Sequence, residues 1–61
     1  MPMVRITMFE GRTKAQKQEL ARVITEAVVN IAQTTPEATE VIFEEVSRQN
    51  WAFAGVLAED K

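Results

Sequence analysis

Cysteine, histidine and tyrosine are all missing from this 61-residue chain. Without cysteine there is no disulfide to brace a small fold. Without cysteine or histidine, only carboxylates remain to hold zinc, so a structural zinc site is excluded in practice. No side chain has an ordinary pKa near neutrality, because histidine is the one that does. Cationic charge is also scarce. Seven Lys and Arg stand against nine Asp and Glu, a net charge of −2, and this excludes the basic face that a nucleic-acid partner requires. Long apolar runs are absent, and none approaches the roughly 20 residues of a membrane span. Residues 1–12 lack the basic-then-apolar layout of a signal peptide, so the expected location is cytoplasmic.

A chain this short buries only about 60% of its unfolded surface, which leaves its own core marginal. Small folds add disulfides, a metal or oligomerisation. With the first two gone, oligomerisation remains. An apolar content of 46% fits extra surface buried between copies.

Residues 3–9 alternate, with Val4, Ile6 and Met8 on one face and Arg5 and Thr7 on the other, the pattern of a half-buried strand. Glu10-Gly11-Arg12 ends it in a turn that Gly11 is free to make. Thr13-Lys14-Ala15-Gln16 reads as a capping box, and a helix follows to about Gln33. Leu20, Val23, Ile24, Ala27, Val28 and Ile31 form its apolar stripe. Lys17, Glu19, Arg22 and Glu26 fall on the solvated side, with Glu19–Arg22 and Arg22–Glu26 as helix-neighbour pairs. Pro36 stops the helix, and Thr35 before it either takes an extended conformation or caps one short turn with Pro36 in its first position. Residues 39–46 form a second strand whose centre, Val41-Ile42-Phe43, is apolar on both faces. Ser47-Arg48-Gln49-Asn50 is a polar turn, residues 51–57 a short hairpin or arm, and Glu59-Asp60-Lys61 a frayed end. The predicted fold class is α/β: one βαβ unit, residues 1–61 as a single domain, with parallel strands, a right-handed crossover and a short C-terminal hairpin. One helix covers one face of a two-stranded sheet, so the unit needs a partner.

Pro2 is the candidate for chemistry. Proline is small enough for Met1 to be trimmed, which turns the ring nitrogen into a free secondary amine. An α-amino group titrates at roughly 7.7–8.0. Burial or nearby cations push it lower by disfavouring the charged form. Such an amine serves as a general base or as a nucleophile toward carbonyls.

Pro2, the short strand, Glu10-Gly11-Arg12-Thr13 and Gln16-Lys17 at the head of an amphipathic helix together resemble the 4-oxalocrotonate tautomerase family. The resemblance continues through Val41-Ile42-Phe43-Glu44-Glu45 to Trp51 and Gly55, and it spans essentially the whole chain without gaps. It implies βαβ subunits that pair into dimers with a four-stranded sheet, often as trimers of dimers, so a homo-oligomer, a hexamer or a dimer, is expected. It implies enol–keto tautomerisation of 2-hydroxydienoates and related 2-oxo acids, a small carboxylate substrate, and no metal or organic cofactor. Pro2 would carry the proton, Arg12 would bind a substrate carboxylate, and Trp51 would form the apolar wall. The family's second arginine has its counterpart at Glu40, which cannot donate to an enolate oxygen. Arg48 or Arg5 is left to supply that cation, and Phe9 is a further candidate for the pocket. Glu44 and Glu45 point to opposite faces and form no paired-carboxylate site. Ala52, Phe53 and Ala54 follow Trp51, which argues against the carboxylate-assisted dehalogenation of some members. The rival reading, motivated by Glu40, is a non-catalytic βαβ scaffold that binds a ligand or protein.

Overall fold

Met3–Phe9 forms strand β1, and its alternation is the physical reason: Val4, Ile6 and Met8 are partly covered while Met3, Arg5 and Thr7 face outward. The computed structural model describes residues 1–61. Helix α1 follows over Lys14–Ala32, strand β2 over Glu40–Val46, and a two-residue hairpin pairs β3, Ala52–Phe53, with β4, Val56–Leu57. β1 and β2 are parallel, in a register that sets Met3 beside Glu40, Ile6 beside Phe43 and Phe9 beside Val46.

The capping box forms as expected. Thr13 Oγ1 accepts from the Gln16 N–H at 3.1 Å, and Gln16 Oε1 accepts from the Thr13 N–H at 2.9 Å. Gln33 closes the helix in the left-handed conformation, φ 56°. Pro36–Ala38 is a 3₁₀ turn capped by Thr35, whose hydroxyl accepts from Ala38 N–H at 3.2 Å. Ala54 and Gly55 both have positive φ, 51° and 82°, which is the requirement of the type I′ hairpin turn. No helix is long and apolar enough to cross a membrane.

Three expectations need correction. The helix face toward the sheet is made by Lys17, Ala21, Ile24, Thr25, Val28 and Val29, not by the whole predicted stripe. Leu20, Val23, Ala27 and Ile31 lie one step around the helix and stay exposed, Ile31 at 83%. The physical reason is width: the apolar arc is broader than a two-stranded sheet can cover. Lys17 is therefore not simply solvated, because its Nζ pairs with Glu45 beneath the helix. The terminus is not frayed either. Ala58–Asp60 is a 3₁₀ turn. Ala58 is the most buried residue, 7% exposed, and its N–H donates to the Trp51 carbonyl at 2.7 Å.

The opposite sheet face carries Met3, Arg5, Thr7, Ile42 and Glu44. Ile42 is 41% exposed. Arg5 pairs with Glu44 at 3.5 Å and Thr7 Oγ1 donates to Glu44 Oε1 at 3.2 Å. The radius of gyration is 14.6 Å, where a globular chain of this length has about 10.5 Å. The chain is a flat plate that leaves open an apolar helix flank and a mixed sheet face.

Candidate active site

The end of β1 gathers most of the candidate residues. Glu10 N–H donates to Val46 O at 3.1 Å, so the ladder runs one step beyond Phe9 and holds both strand ends together. The Phe9 and Trp51 rings lie 4.7 Å apart at 54°, a tilted pair within the favoured range. Arg48 Cζ sits 4.2 Å from the Phe9 ring centroid, a cation–π contact. The 3₁₀ turn Arg48–Asn50 carries it there. Gln49 Nε2 donates to Glu59 Oε1 at 3.4 Å, and the bond Ala58 makes to Trp51 fixes the other side. A recess of about 290 Å³ opens beside Arg48, lined by Glu10, Ser47, Gln49 and Glu59.

Arg12 lies on the helix side of the same end. It lines a groove of about 420 Å³ with Gln16, Glu19, Leu20 and Val23. A larger recess of about 540 Å³ runs along α1 past Gln18, Thr25 and Asn30. Its one cation, Arg22, is already held by Glu19 at 2.8 Å and Glu26 at 3.2 Å. That contact holds the Glu19 carboxyl below its ordinary range and Arg22 above its own, through the hydrogen bond first and the charge second.

Pro2 is elsewhere. It heads β1, where its carbonyl accepts from the Glu40 N–H at 3.0 Å. Seven residues of strand separate it from Phe9, about 23 Å at the usual rise. Within one chain, then, Phe9, Arg48 and Trp51 meet, Arg12 is near them by sequence, and Pro2 is not. Glu40 is beside Pro2 rather than beside the arginines. Of the two cations proposed to replace the second arginine, Arg5 is tied to Glu44, while Arg48 has no carboxylate within 4.0 Å.

Phe53 and Lys61 are neighbours the sequence reading left out. Phe53 lies 6.4 Å from Trp51, ring to ring, and Lys61 Nζ lies 5.1 Å from the Phe53 centroid. The spacing of Trp51 and Phe53 held the signal, because residues i and i+2 of an extended segment share a face.

A family model described as tautomerase enzyme matches residues 2–61. The 2-hydroxymuconate tautomerase of Pseudomonas putida is 37% identical over 60 residues, covering 98% of this chain and 95% of its own. A crystal structure of a 4-oxalocrotonate tautomerase homologue superposes with a TM-score of 0.94 at 39% identity, covering 100% of this chain and 97% of the other. A heterohexamer 4-oxalocrotonate tautomerase from Chloroflexus aurantiacus superposes at 0.90 with 33% identity, covering 98% and 97%. The match of residues 2–61, the parallel βαβ unit with its hairpin, and relatives aligned over nearly their full length place the chain in the 4-oxalocrotonate tautomerase family of isomerases.

Proposed function

We propose that this chain, folded as one domain and assembled from identical copies, catalyses enol–keto 1,3-proton transfer on a 2-hydroxydienoate or related 2-oxo acid, with Pro2 as general base once Met1 is removed. The supporting observation is the separation along β1. Pro2 stands at one end, and the Phe9–Trp51 wall with Arg12 and Arg48 stands at the other. β1 carries one charge, Arg5, whereas β2 carries Glu40, Glu44 and Glu45. Two β2 edges repel, so the β1 edge is the one suited to a second copy. Antiparallel pairing about a two-fold axis at Ile6 sets Pro2 opposite Glu10 of the second copy. That arrangement closes the 23 Å gap of about seven strand residues and gives a four-stranded sheet.

In such a pair the apolar wall disfavours the ammonium form of Pro2 and keeps its nitrogen available. The nitrogen takes a proton from the 2-hydroxyl or an allylic carbon and returns one to C5 or C3. Arg12 anchors the distal carboxylate through its planar fork. Phe9 and Trp51 exclude water. Charge developing on the oxygen requires a fixed donor, which is the main electrostatic demand on the site. Glu40, whose N–H bonds the Pro2 carbonyl, adds a negative charge at that end of the strands. This disfavours a dianionic substrate more than a monoanionic one, so phenylenolpyruvate is expected to turn over more efficiently than 2-hydroxymuconate.

The test is loss of dienol absorbance with parent protein and Pro2→Ala, with intact mass recorded to show Met1 removed. Enzyme-dependent ketonisation that falls by about two orders of magnitude or more in Pro2→Ala supports the base assignment. An unchanged rate in Pro2→Ala overturns it. Glu40 also motivates a second reading, a βαβ assembly that binds a carboxylate ligand without turning it over. That reading predicts no acceleration on either enol with Met1 absent.

A further inference from the structure

We infer that Arg48 is the second cation of the site and binds the 2-oxo acid head group, the carboxylate with its adjacent oxygen, that mono- and dicarboxylate substrates share. This assignment rests on the 2-oxo acid reading above.

The distribution of cations over the molecule selects Arg48. Arg5 is held by Glu44, Lys17 by Glu45, and Arg22 by Glu19 and Glu26. Each of these is already neutralised, and recruiting one would break an existing pair. Arg12, Lys14, Arg48 and Lys61 have no carboxylate within ion-pair distance. Lys14 opens the helix and touches neither a recess nor an aromatic ring. Lys61 reaches only the Phe53 ring, at 5.1 Å. Arg12 is already assigned the distal carboxylate.

Arg48 differs from the rest in being positioned. Its guanidinium stacks 4.2 Å over Phe9, and that ring is itself fixed 4.7 Å from Trp51. A guanidinium packed by its face keeps its N–H edge free, and that edge forms the paired contact to a carboxylate or to vicinal oxygens. Glu10 and Glu59 line the same recess as Arg48, and neither reaches ion-pair distance of it. Both carboxylates oppose an anion within that recess, so the contact inferred is to the guanidinium edge beside the Phe9–Trp51 pair.

Two measurements test this. Trp51 is the only tryptophan, so its fluorescence reports binding of 2-oxoadipate, a transparent dicarboxylate 2-oxo acid, without any turnover. Arg48→Met retains the stem over Phe9 and removes the charge. It is expected to weaken 2-oxoadipate binding by about tenfold or more, the usual loss of a charged hydrogen bond. Arg48→Lys is expected to recover part of that loss. In turnover, Arg48→Met lowers kcat/KM on both phenylenolpyruvate and 2-hydroxymuconate, whereas Arg12→Ala lowers it mainly on the latter. Arg5→Met leaves both within about twofold. Unchanged affinity in Arg48→Met overturns the inference, as does a parent protein that binds no 2-oxoadipate at millimolar concentration. A purely structural role for Arg48 shows instead as a lowered Tm with unaltered affinity. Failure of the base assignment is separate, because it appears as undiminished turnover in Pro2→Ala while the binding comparison still reads Arg48.

Discussion

At position 40 the parallel ladder ties the backbone of an acidic residue to that of the proposed base. The Glu40 N–H bonds the Pro2 carbonyl at 3.0 Å, and Glu37 lies in the adjoining 3₁₀ turn. A nearby anion favours the protonated amine and so raises its pKa. Glu40→Gln removes that anion, and the acid limb of the kcat/KM profile is expected to move to lower pH if the carboxylate faces the amine. An unmoved limb would mean that the Glu40 carboxylate points away from Pro2. Glu40→Arg is expected to raise kcat/KM on 2-hydroxymuconate by roughly tenfold, through one added charged contact to the dianion. The same substitution is expected to change phenylenolpyruvate less, and the ratio of the two kcat/KM values checks it.

Among the elements, the helix start was the most legible in the sequence, whereas residues 51–57 read only as a hairpin or an arm and the turn at Ala54-Gly55 came from the structure. Thr13 and Gln16 satisfy each other's backbone N–H groups, and Thr13→Ala is expected to cost about 1 kcal/mol. Ala54 occupies a left-handed conformation, φ 51°, where a Cβ costs about 1–2 kcal/mol. Ala54→Gly relieves part of that, so a gain of about 0.5–1 kcal/mol is expected despite the entropy of glycine. Urea denaturation at one fixed protein concentration measures both changes. The Arg22 contact holds the Glu19 carboxyl below its ordinary value. Its small contribution is therefore present above the unfolded pKa and is lost as pH falls through the folded one. Less legible was which part of the helix stripe meets the sheet. Leu20, Val23, Ala27 and Ile31 are as apolar as Ile24 and Val28, and spacing alone does not say where a narrow sheet stops covering them.

For the molecule as a whole, exposed area is the controlling quantity. The accessible surface is 4645 Å², against about 4000 Å² for a folded monomer of this mass. Met3, Ile42, Val23 and Ile31 contribute to the excess. Two separate exposed surfaces, the apolar helix flank and the sheet face where Met3 and Ile42 flank the Arg5–Glu44 pair, predict two kinds of contact between copies. Ile31→Asp on the flank and Ile42→Asp on the sheet are each expected to lower the assembled mass in sedimentation equilibrium. If the two faces serve different contacts, the two variants stop at different sizes. Monomeric parent protein with a sharp, concentration-independent Tm would contradict the entire assembly argument.

Local chemistry determined much of this protein from sequence alone. Alternation specified β1, the capping box specified where α1 begins, Pro36 specified its stop, and Pro2 stood out because no other group supplies a neutral base. These signals act within a few residues, so they are visible without a fold. Only the tertiary structure decided that Arg5 is spent on Glu44 while Arg48 is free over Phe9, that Glu40 sits beside Pro2, and that the terminus packs on Trp51 through Ala58. Each of those depends on parallel register and on the path of the chain after β2. Neither is encoded in the periodicity of any single segment, because pairing between strands more than thirty residues apart is settled by packing.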